Sequence, residues 1–320
     1  MTMREALAPA IEAISQSNSI AVTCHINPDG DALGSALALA HAARAVGREA
    51  VVSFGGDFVI PATLEFLDTA PLVSPEHFPV EPDCLVVFDV ASSERLGEIA
   101  ASAAGAGTVV VIDHHASNDG FGDVAVIEPD AAASAQLATY LIEGLGWPID
   151  ATVAQCLLTG LVTDTGRFQY SATDGEVLRV AARLVDAGVR PEVIGQHVYE
   201  SAPFGYLAVS SAVLGRAVLE PAVGFVWSTV TLSDLEAAGI AYSEADGLID
   251  DLRIAREAGV ALLLKETHDG WKGSLRSRGE VDVAALAALF GGGGHHNAAG
   301  FHDSGTAETI VDRIREAIGG

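Results

Sequence analysis

The sequence predicts an α/β protein, in which a mainly parallel sheet with helices on both faces is followed by a smaller α/β domain. Three features carry that reading. Short apolar runs alternate with amphipathic helical stretches through the first half, the signature of βαβ units. The runs are apolar at nearly every position, as strands buried on both faces of a parallel sheet must be. Around Pro191 the rhythm gives way to a helical stretch, then shorter strands, a hairpin signal and a glycine run.

Taken in order, a helix is expected over 3–16 and a strand over 20–24 (Ile-Ala-Val-Thr-Cys). A second helix covers 32–46, stopped by Gly47. Strands follow at 50–54, 84–88 and 108–112, with a weaker one at 124–127. Helices then follow at 133–144, 151–162 and 174–187, the last stopped by Gly188. Residues 191–214 read as a helical connector interrupted at Pro203-Phe204-Gly205. Beyond it, 224–232 alternates Phe225, Val230 and Leu232 with smaller or polar partners, as a strand does. Segments 260–266 and 271–276 flank His268-Asp269-Gly270, a D-G turn that marks a hairpin. A helix at 282–289 runs into Gly291-Gly292-Gly293-Gly294-His295-His296, and a final helix covers 306–318. The expected domains are 1–190 and 215–320, joined by 191–214.

Composition narrows the function. Apolar residues make up 49% of the chain, which excludes a largely disordered protein. No uncharged apolar run reaches the roughly 18 residues that a membrane helix needs. The N-terminus lacks the apolar core of a secretory signal, so the expected location is the cytoplasm. Cys24, Cys84 and Cys156 lie in apolar runs with no C-x-x-C spacing, as buried reduced thiols do. The formal charge of −26 reflects 17 bases against 43 acids. Tight binding to long nucleic acid draws on basic side chains that neutralise phosphates, and no basic run is present. An anionic substrate is therefore expected to be small and held by metals with a few Arg or His.

Chemistry concentrates at strand ends. His25-Ile26-Asn27-Pro28-Asp29-Gly30-Asp31 puts one imidazole and two carboxylates in a loop directly after the first strand. Asp89 ends the 84–88 run, and Asp113-His114-His115 end the 108–112 run. Asp164 follows a helix in Thr163-Asp164-Thr165-Gly166. In open α/β sheets the C-terminal edge is where ligands bind. Four carboxylates gathered there repel one another, and two divalent cations balance them while imidazoles complete the shells. Mixed oxygen and nitrogen ligation suits Mn²⁺, with Mg²⁺, Co²⁺ or Zn²⁺ as substitutes. Each fragment alone is ambiguous: N-P-D-G is also a good turn, and acids and histidines often close strands as solvated loop residues.

The segments C-H-I-N-P-D-G-D-A-L-G-S, V-V-F-D-V-A-S, V-I-D-H-H, T-D-T-G and G-G-G-G-H-H-N-A-A-G-F together resemble the DHH phosphoesterase family with its DHH-associated C-terminal domain. The similarity runs through the whole chain. It is greatest to the NrnA-type branch of bifunctional oligoribonucleases and 3′-phosphoadenosine 5′-phosphate phosphatases. By that resemblance residues 1–190 would be the catalytic domain and 215–320 the substrate-binding domain, with the active site in the cleft between them. His25 and Asp29 would hold one manganese ion. Asp31, His114 and Asp164 would hold the other, and Asp89 would bridge the two. His115 would face the scissile phosphate, and Asp113 would orient a neighbouring histidine. Implied substrates are short oligoribonucleotides, 3′-phosphoadenosine 5′-phosphate and linear dinucleotides such as pApA and pGpG. A homodimer is implied as well.

The glycine run leaves backbone N–H groups able to approach a phosphate or a base, although a glycine run is equally a flexible helix terminator. His295 and Asn297 beside it favour binding. The resemblance implies nucleotide contacts at Gly293, Gly294 and His295. Ser274, Arg276 and Arg278 share one face by strand alternation, which makes Arg276 the expected anion clamp. His296 stands where this family often carries Lys or another residue. Arg95 and Arg167 lie beside metal motifs and are expected either to bind phosphate or to serve structure. His41, His77, His197, His268 and His302 belong to no constellation.

Three other readings compete. A RecJ-type exonuclease shares the metal motifs but carries a further nucleic-acid-binding domain. A manganese pyrophosphatase shares the first half, but its Ser-Arg-Lys-Lys type cluster is missing here. A nucleotide-sensing module binds without turnover, and the intact ligand set argues against it.

Overall fold

The computed structural model describes residues 2–279 and 281–319. The chain divides between Ser201 and Ala202 into two compact units.

The first unit opens with α1 (Met3–Ala6) and α2 (Ala8–Gln16), so the single helix expected over 3–16 is broken at Leu7. Pro9 explains the break: it has no N–H to donate and is tolerated only in the first turn of a helix, where α2 places it. The strands are β1 (Ser19–Thr23), β2 (Glu49–Ser53), β3 (Cys84–Phe88), β4 (Thr108–Asp113) and β5 (Val124–Ile127). They form one sheet in the order β2-β1-β3-β4-β5, with every pair parallel. Helix α3 (Gly30–Ala45) connects β1 to β2, and a 3-10 segment (Ser93–Ile99) with α4 (Ala100–Gly105) connects β3 to β4. Four helices follow: α5 (Ser134–Gly144), α6 (Ala151–Asp164), α7 (Gly175–Asp186) and α8 (Pro191–Tyr199).

The two faces of this sheet are covered unequally. Ile20, Val22, Val86, Phe88, Val110 and Ile112 point into a large core shared with α2, α3 and α5 to α8. Ala21, Leu85, Val87, Val109 and Val111 point to the other face, covered by Phe78, Leu96 and Ile99. Strand alternation thus splits one apolar run between two cores.

In the second unit α9 (Gly205–Gly215) precedes β6 (Val218–Glu220) and β7 (Phe225–Val230). Helices α10 (Leu232–Ala238) and α11 (Leu248–Arg253) follow, then β8 (Val260–Thr267) and β9 (Gly270–Ser277). The unit ends with α12 (Val283–Ala288), β10 (Gly293–His295), β11 (Ala298–Asp303) and α13 (Ala307–Gly319). Its sheet runs β10-β11-β9-β8-β7-β6, with only β7 and β8 parallel. Residues of α12 and α13 pack on Val260, Leu262, Leu264 and Leu275, and residues of α9 to α11 pack on Ala261 and Leu263.

Two expectations change. The strand expected to end at 232 stops at Val230, because Thr231 caps α10 and accepts a hydrogen bond from Asp234 N at 3.1 Å. The glycine run is not a loose loop, since Gly293 and Gly294 pair in register with Gly300 and Ala299. A Cβ on Gly294 would lie 2.5 Å from the Ala298 carbonyl oxygen, so this hairpin needs glycine for close backbone approach.

Candidate metal centre

Four segments deliver acids and imidazoles to the C-terminal edge of the parallel sheet, at the point between β1 and β3 where its strand order reverses. After β1 the chain passes His25 and turns at Asn27, whose φ is 53°. It enters α3 with Asp29 as N-cap, and Asp29 Oδ1 accepts Asp31 N and Ala32 N, each at 3.0 Å. Asp31 is then fixed in the first turn and fully buried. Asp89 follows β3 in the left-handed region at φ 60°, which few residues other than glycine adopt without strain. Asp113 ends β4, and His114 and His115 follow it. Asp164 is the last residue of α6. Glycines let α6 press on α3: a Cβ on Gly34 would sit 2.4 Å from the Cys156 carbonyl oxygen, and one on Gly160 would sit 2.7 Å from Asp31 Oδ1.

All six expected ligands converge. His25, Asp29 and Asp89 offer ligand atoms within 4.8 Å of one another, as do Asp31, His114 and Asp164. The Asp89 carboxylate divides between these groups. Its Oδ2 lies 3.5 Å from His25 Nε2, while Oδ1 lies 3.4 Å from His114 Nε2. His25 Nε2 is 3.7 Å from Asp29 Oδ2, and His114 Nε2 is 3.1 Å from Asp164 Oδ2 and 3.9 Å from Asp31 Oδ2. His115 Nδ1 donates to Asp113 Oδ1 at 2.7 Å.

Several supporting groups escaped sequence reasoning. The first two N–H groups of α5, on Ser134 and Ala135, donate to the two Asp31 oxygens at 2.6 and 2.8 Å. Ser134 Oγ donates to Asp89 Oδ1 at 3.1 Å. Asn118 Nδ2 donates to Asp113 Oδ2 at 2.7 Å, so both oxygens of that carboxylate are engaged. Hydrogen bonds of this kind orient ligands and tune their basicity. Ser134 sits in an Ala-rich stretch that carries no local signal, and Asn118 lies in an ordinary polar loop.

Within the cluster, carboxylates and imidazoles change one another's proton affinity. Burial pulls the His25 imidazole down, but the facing Asp29 and Asp89 carboxylates outweigh it and lift the group to about 10. Burial likewise opposes the charge on His114, and Asp164 with Asp89 raises it well above the usual imidazole range. Burial, followed by the Asp89 and Asp164 charges, pushes Asp31 well above an ordinary carboxylate. Asp89 goes the other way: burial opposes ionisation, yet His114 and His25 hold it well below the usual range. This donor set of carboxylate oxygens and imidazole nitrogens suits Mn²⁺, Mg²⁺, Co²⁺ or Zn²⁺.

The remaining expected site residues belong to other segments of the chain. Arg95 is held near the His25 loop through its carbonyl, which accepts Ile26 N at 3.0 Å. Arg167 continues a left-handed turn through Gly166, Arg167 and Phe168, and its guanidinium lies 4.6 Å from the Tyr199 ring centroid. In the second unit Ser274 and Arg276 share one face of β9, but Arg278 does not join them. The strand ends at Ser277, and Arg278 turns to the carbonyls of Ala255 and Ala258. Arg276 Nη1 donates to the Leu275 carbonyl at 3.1 Å, and Nε lies 3.6 Å from Asp250 Oδ1. Asn297 Oδ1 accepts Ser277 Oγ at 2.9 Å, which ties the β10–β11 hairpin to β9. His295 ends β10.

A parallel α/β sheet with a buried carboxylate–imidazole cluster at its C-terminal edge defines a metal-binding enzyme scaffold. Comparison with known proteins agrees. The DHH family N-terminal domain matches residues 19–161, and the DHHA1 domain matches 227–320. A bifunctional oligoribonuclease and PAP phosphatase, NrnA, of Thermus thermophilus is 34% identical over 304 residues, covering 93% of this chain and 89% of its own. The Bacillus subtilis NrnA of the same description is 27% identical, covering 91% of each chain. An exopolyphosphatase-related protein from Bacteroides fragilis has the same fold, with a TM-score of 0.90 at 24% identity over 99% of this chain and 96% of its own. This chain therefore belongs to the DHH family of phosphoesterases. No helix among the described residues is long and apolar enough to cross a membrane.

Proposed function

We propose that this chain is a manganese-dependent phosphoesterase that hydrolyses short oligoribonucleotides to mononucleotides and removes the 3′-phosphate of 3′-phosphoadenosine 5′-phosphate. Linear dinucleotides such as pApA and pGpG fall in the same class. One observation carries the proposal: the two Asp89 oxygens face different donor groups, as a carboxylate shared by two cations must. The 34% identity to a protein described as having both activities, over nearly all of both chains, supports the choice of substrates.

In this reading His25 and Asp29 would hold one ion, Asp31, His114 and Asp164 would hold the second, and Asp89 would serve both. When bound, two divalent ions supply Lewis acidity and an acidified water nucleophile. The chain's own groups do the rest. Asp113 accepts a hydrogen bond from His115 Nδ1, which fixes the ring orientation and, against burial, favours the imidazolium whose Nε2–H is left to donate. His115 then hydrogen-bonds a phosphoryl oxygen and stabilises the charge that grows there. The α5 N-terminus holds Asp31 so that it does not rotate away. In the second unit, Ser274, Arg276, Gly293, Gly294, His295 and Asn297 are the proposed nucleotide contacts, with Arg95 assisting from the first unit.

The test compares wild-type protein with Asp89→Ala on a ribodinucleotide, 3′-phosphoadenosine 5′-phosphate and pyrophosphate, each with Mn²⁺. Wild type should cleave the first two, and the variant should fall below about one-hundredth of that rate. Turnover by Asp89→Ala within a few-fold of wild type, or pyrophosphate as the best substrate, would refute the proposal.

A further inference from the structure

Of the proposed ligands, Asp31 and Asp89 are fixed by donors of α5, and Asp29 caps α3. No donor of that kind reaches Asp164 among the described residues. Its carboxylate faces His114 Nε2 at 3.1 Å, a proposed ligand of the same ion. The aim of Asp164 therefore rests on the backbone where α6 ends.

That end is unusual. The N–H groups of Gly166 and Arg167 donate to the carbonyls of Thr163 and Val162, at 3.1 and 2.8 Å, which is a common glycine-closed helix terminus. Such a terminus needs one left-handed residue, the glycine. Here Gly166 (φ 55°) is followed by Arg167 at 62° and Phe168 at 63°, and residues with a Cβ disfavour that region. Strained backbone of this sort persists only where its surroundings over-determine it.

Thr165 supplies the constraint, and it is completely buried. Its Oγ1 donates back to the Leu161 carbonyl at 2.6 Å and accepts Phe168 N at 3.0 Å. Its carbonyl accepts Gln169 N and Tyr170 N, each at 3.0 Å. One residue thus ties the last turn of α6 to the strained segment beyond Gly166. Gly166 itself has no room to spare: a Cβ there would lie 2.3 Å from Tyr170 Cζ.

We propose that Thr165 is a positioning residue, whose hydroxyl holds the end of α6 so that the Asp164 carboxylate meets the ion it would share with Asp31 and His114. The inference rests on the metal reading above and adds to it a residue that is neither ligand nor substrate contact.

The experiment titrates the full chain, stripped by chelator, with Mn²⁺ alone in a calorimeter, and records thermal denaturation of each variant without metal. Asp164→Ala defines the binding step that depends on this carboxylate. Thr165→Val keeps the shape and removes the hydroxyl; it should weaken that step at least about tenfold, and Thr165→Ser should restore it to near wild type. A merely structural threonine would lower the melting temperature in Thr165→Val and leave Mn²⁺ affinity alone. If Thr165→Val does not fold, Gly166→Ala takes its place. Its control is Gly146→Ala, which also puts a Cβ at positive φ (68°) but meets nothing within 4 Å. Both should destabilise, and only Gly166→Ala should weaken Mn²⁺ binding. Wild-type affinity in folded Thr165→Val, no recovery in Thr165→Ser, or equal affinities in the two alanine variants would overturn the inference and leave the Asp164 assignment intact. Wild-type Mn²⁺ binding in Asp164→Ala would overturn both.

Discussion

Replacing Gly160 with Ala tests whether the packing of α6 on α3 sets the position of Asp31, a proposed metal ligand. Gly160 lies inside α6, where alanine is intrinsically favoured over glycine by about 1 kcal/mol. Helix propensity alone therefore predicts a more stable protein. Space predicts the opposite. The added methyl would lie 2.7 Å from Asp31 Oδ1, 2.8 Å from Ala135 Cβ and 3.0 Å from Asp31 Cα. Comfortable carbon contacts are about 3.5–4.0 Å, so something must move by roughly half an ångström or more. Overpacking of a tight core costs about 1–3 kcal/mol, which equals or exceeds the propensity gain. The metal centre should suffer more than the fold. Ligand distances tolerate only about 0.2 Å, and the displaced atoms are Asp31 itself and the α5 residue whose N–H holds it.

Losses from disturbed supporting groups run to about 10–100-fold in metal affinity, and that range is expected here. Calorimetric titration of chelator-stripped protein with Mn²⁺ measures it, and thermal denaturation gives the fold term separately. Gly195→Ala is the matched control. It sits inside α8, and a Cβ added there would meet nothing within 4 Å, so it should stabilise slightly and leave Mn²⁺ affinity unchanged. Wild-type affinity in Gly160→Ala would show that Asp31 is not held by this contact.

Other outcomes follow from the same geometry. His115→Ala should lower kcat by about 10²–10⁴-fold while metal content is retained, and depleted metal on elemental analysis would make His115 a ligand instead. Asp113→Asn should lower kcat with KM nearly unchanged, because it leaves Asn118 and His115 poorly oriented; a pure KM effect would contradict this. Arg276→Ala should raise KM for nucleotides and spare Mn²⁺ binding, and an unchanged KM would place the anion clamp elsewhere. The pH dependence has a definite sign. His25 is raised from 6.5 to about 10 by Asp29 and Asp89 against burial, so its stabilisation of metal-free protein is complete below pH 6.5 and is lost as pH rises through about 10. Metal-free protein should melt at progressively lower temperature from pH 7 to 10, and Mn²⁺ affinity should improve over the same range as protons are displaced. A pH-independent affinity would exclude that competition.

The first unit was legible because its strands are long apolar runs whose ends carry unusual side chains. His25, Asp29, Asp31, Asp89, His114 and Asp164 each lie within two residues of an element end or N-cap, and the parallel sheet with α3 and α6 brings such ends together. The supporting groups were not legible. Nothing local marks Ser134 or Gly160, since their roles come from contacts with Asp89 and Asp31 far away in sequence. The second unit was read less well. Its short elements α10, α11, β6, β10 and β11 lack enough residues to show a period, and its helix–strand boundaries depend on caps such as Thr231. Arg278 shows the limit of alternation: the face argument holds only while the strand continues, and β9 stops one residue short.

Proton and cation solve one electrostatic problem in this protein. Four carboxylates crowd the sheet edge; they raise the proton affinity of His25 and His114 against burial, and burial together with those charges raises that of Asp31. A proton bound by such a group competes with a cation for it. The backbone is far less adaptable. Asp89 keeps a left-handed φ of 60°, and Asp31 stays pinned by two N–H groups of α5. A site that exchanges its charge carriers while its frame stays fixed needs little reorganisation when cations arrive. That rigidity explains why the strain at Asp89 is tolerated: a relaxed conformation there would swing the carboxylate away from one of the two donor groups it faces.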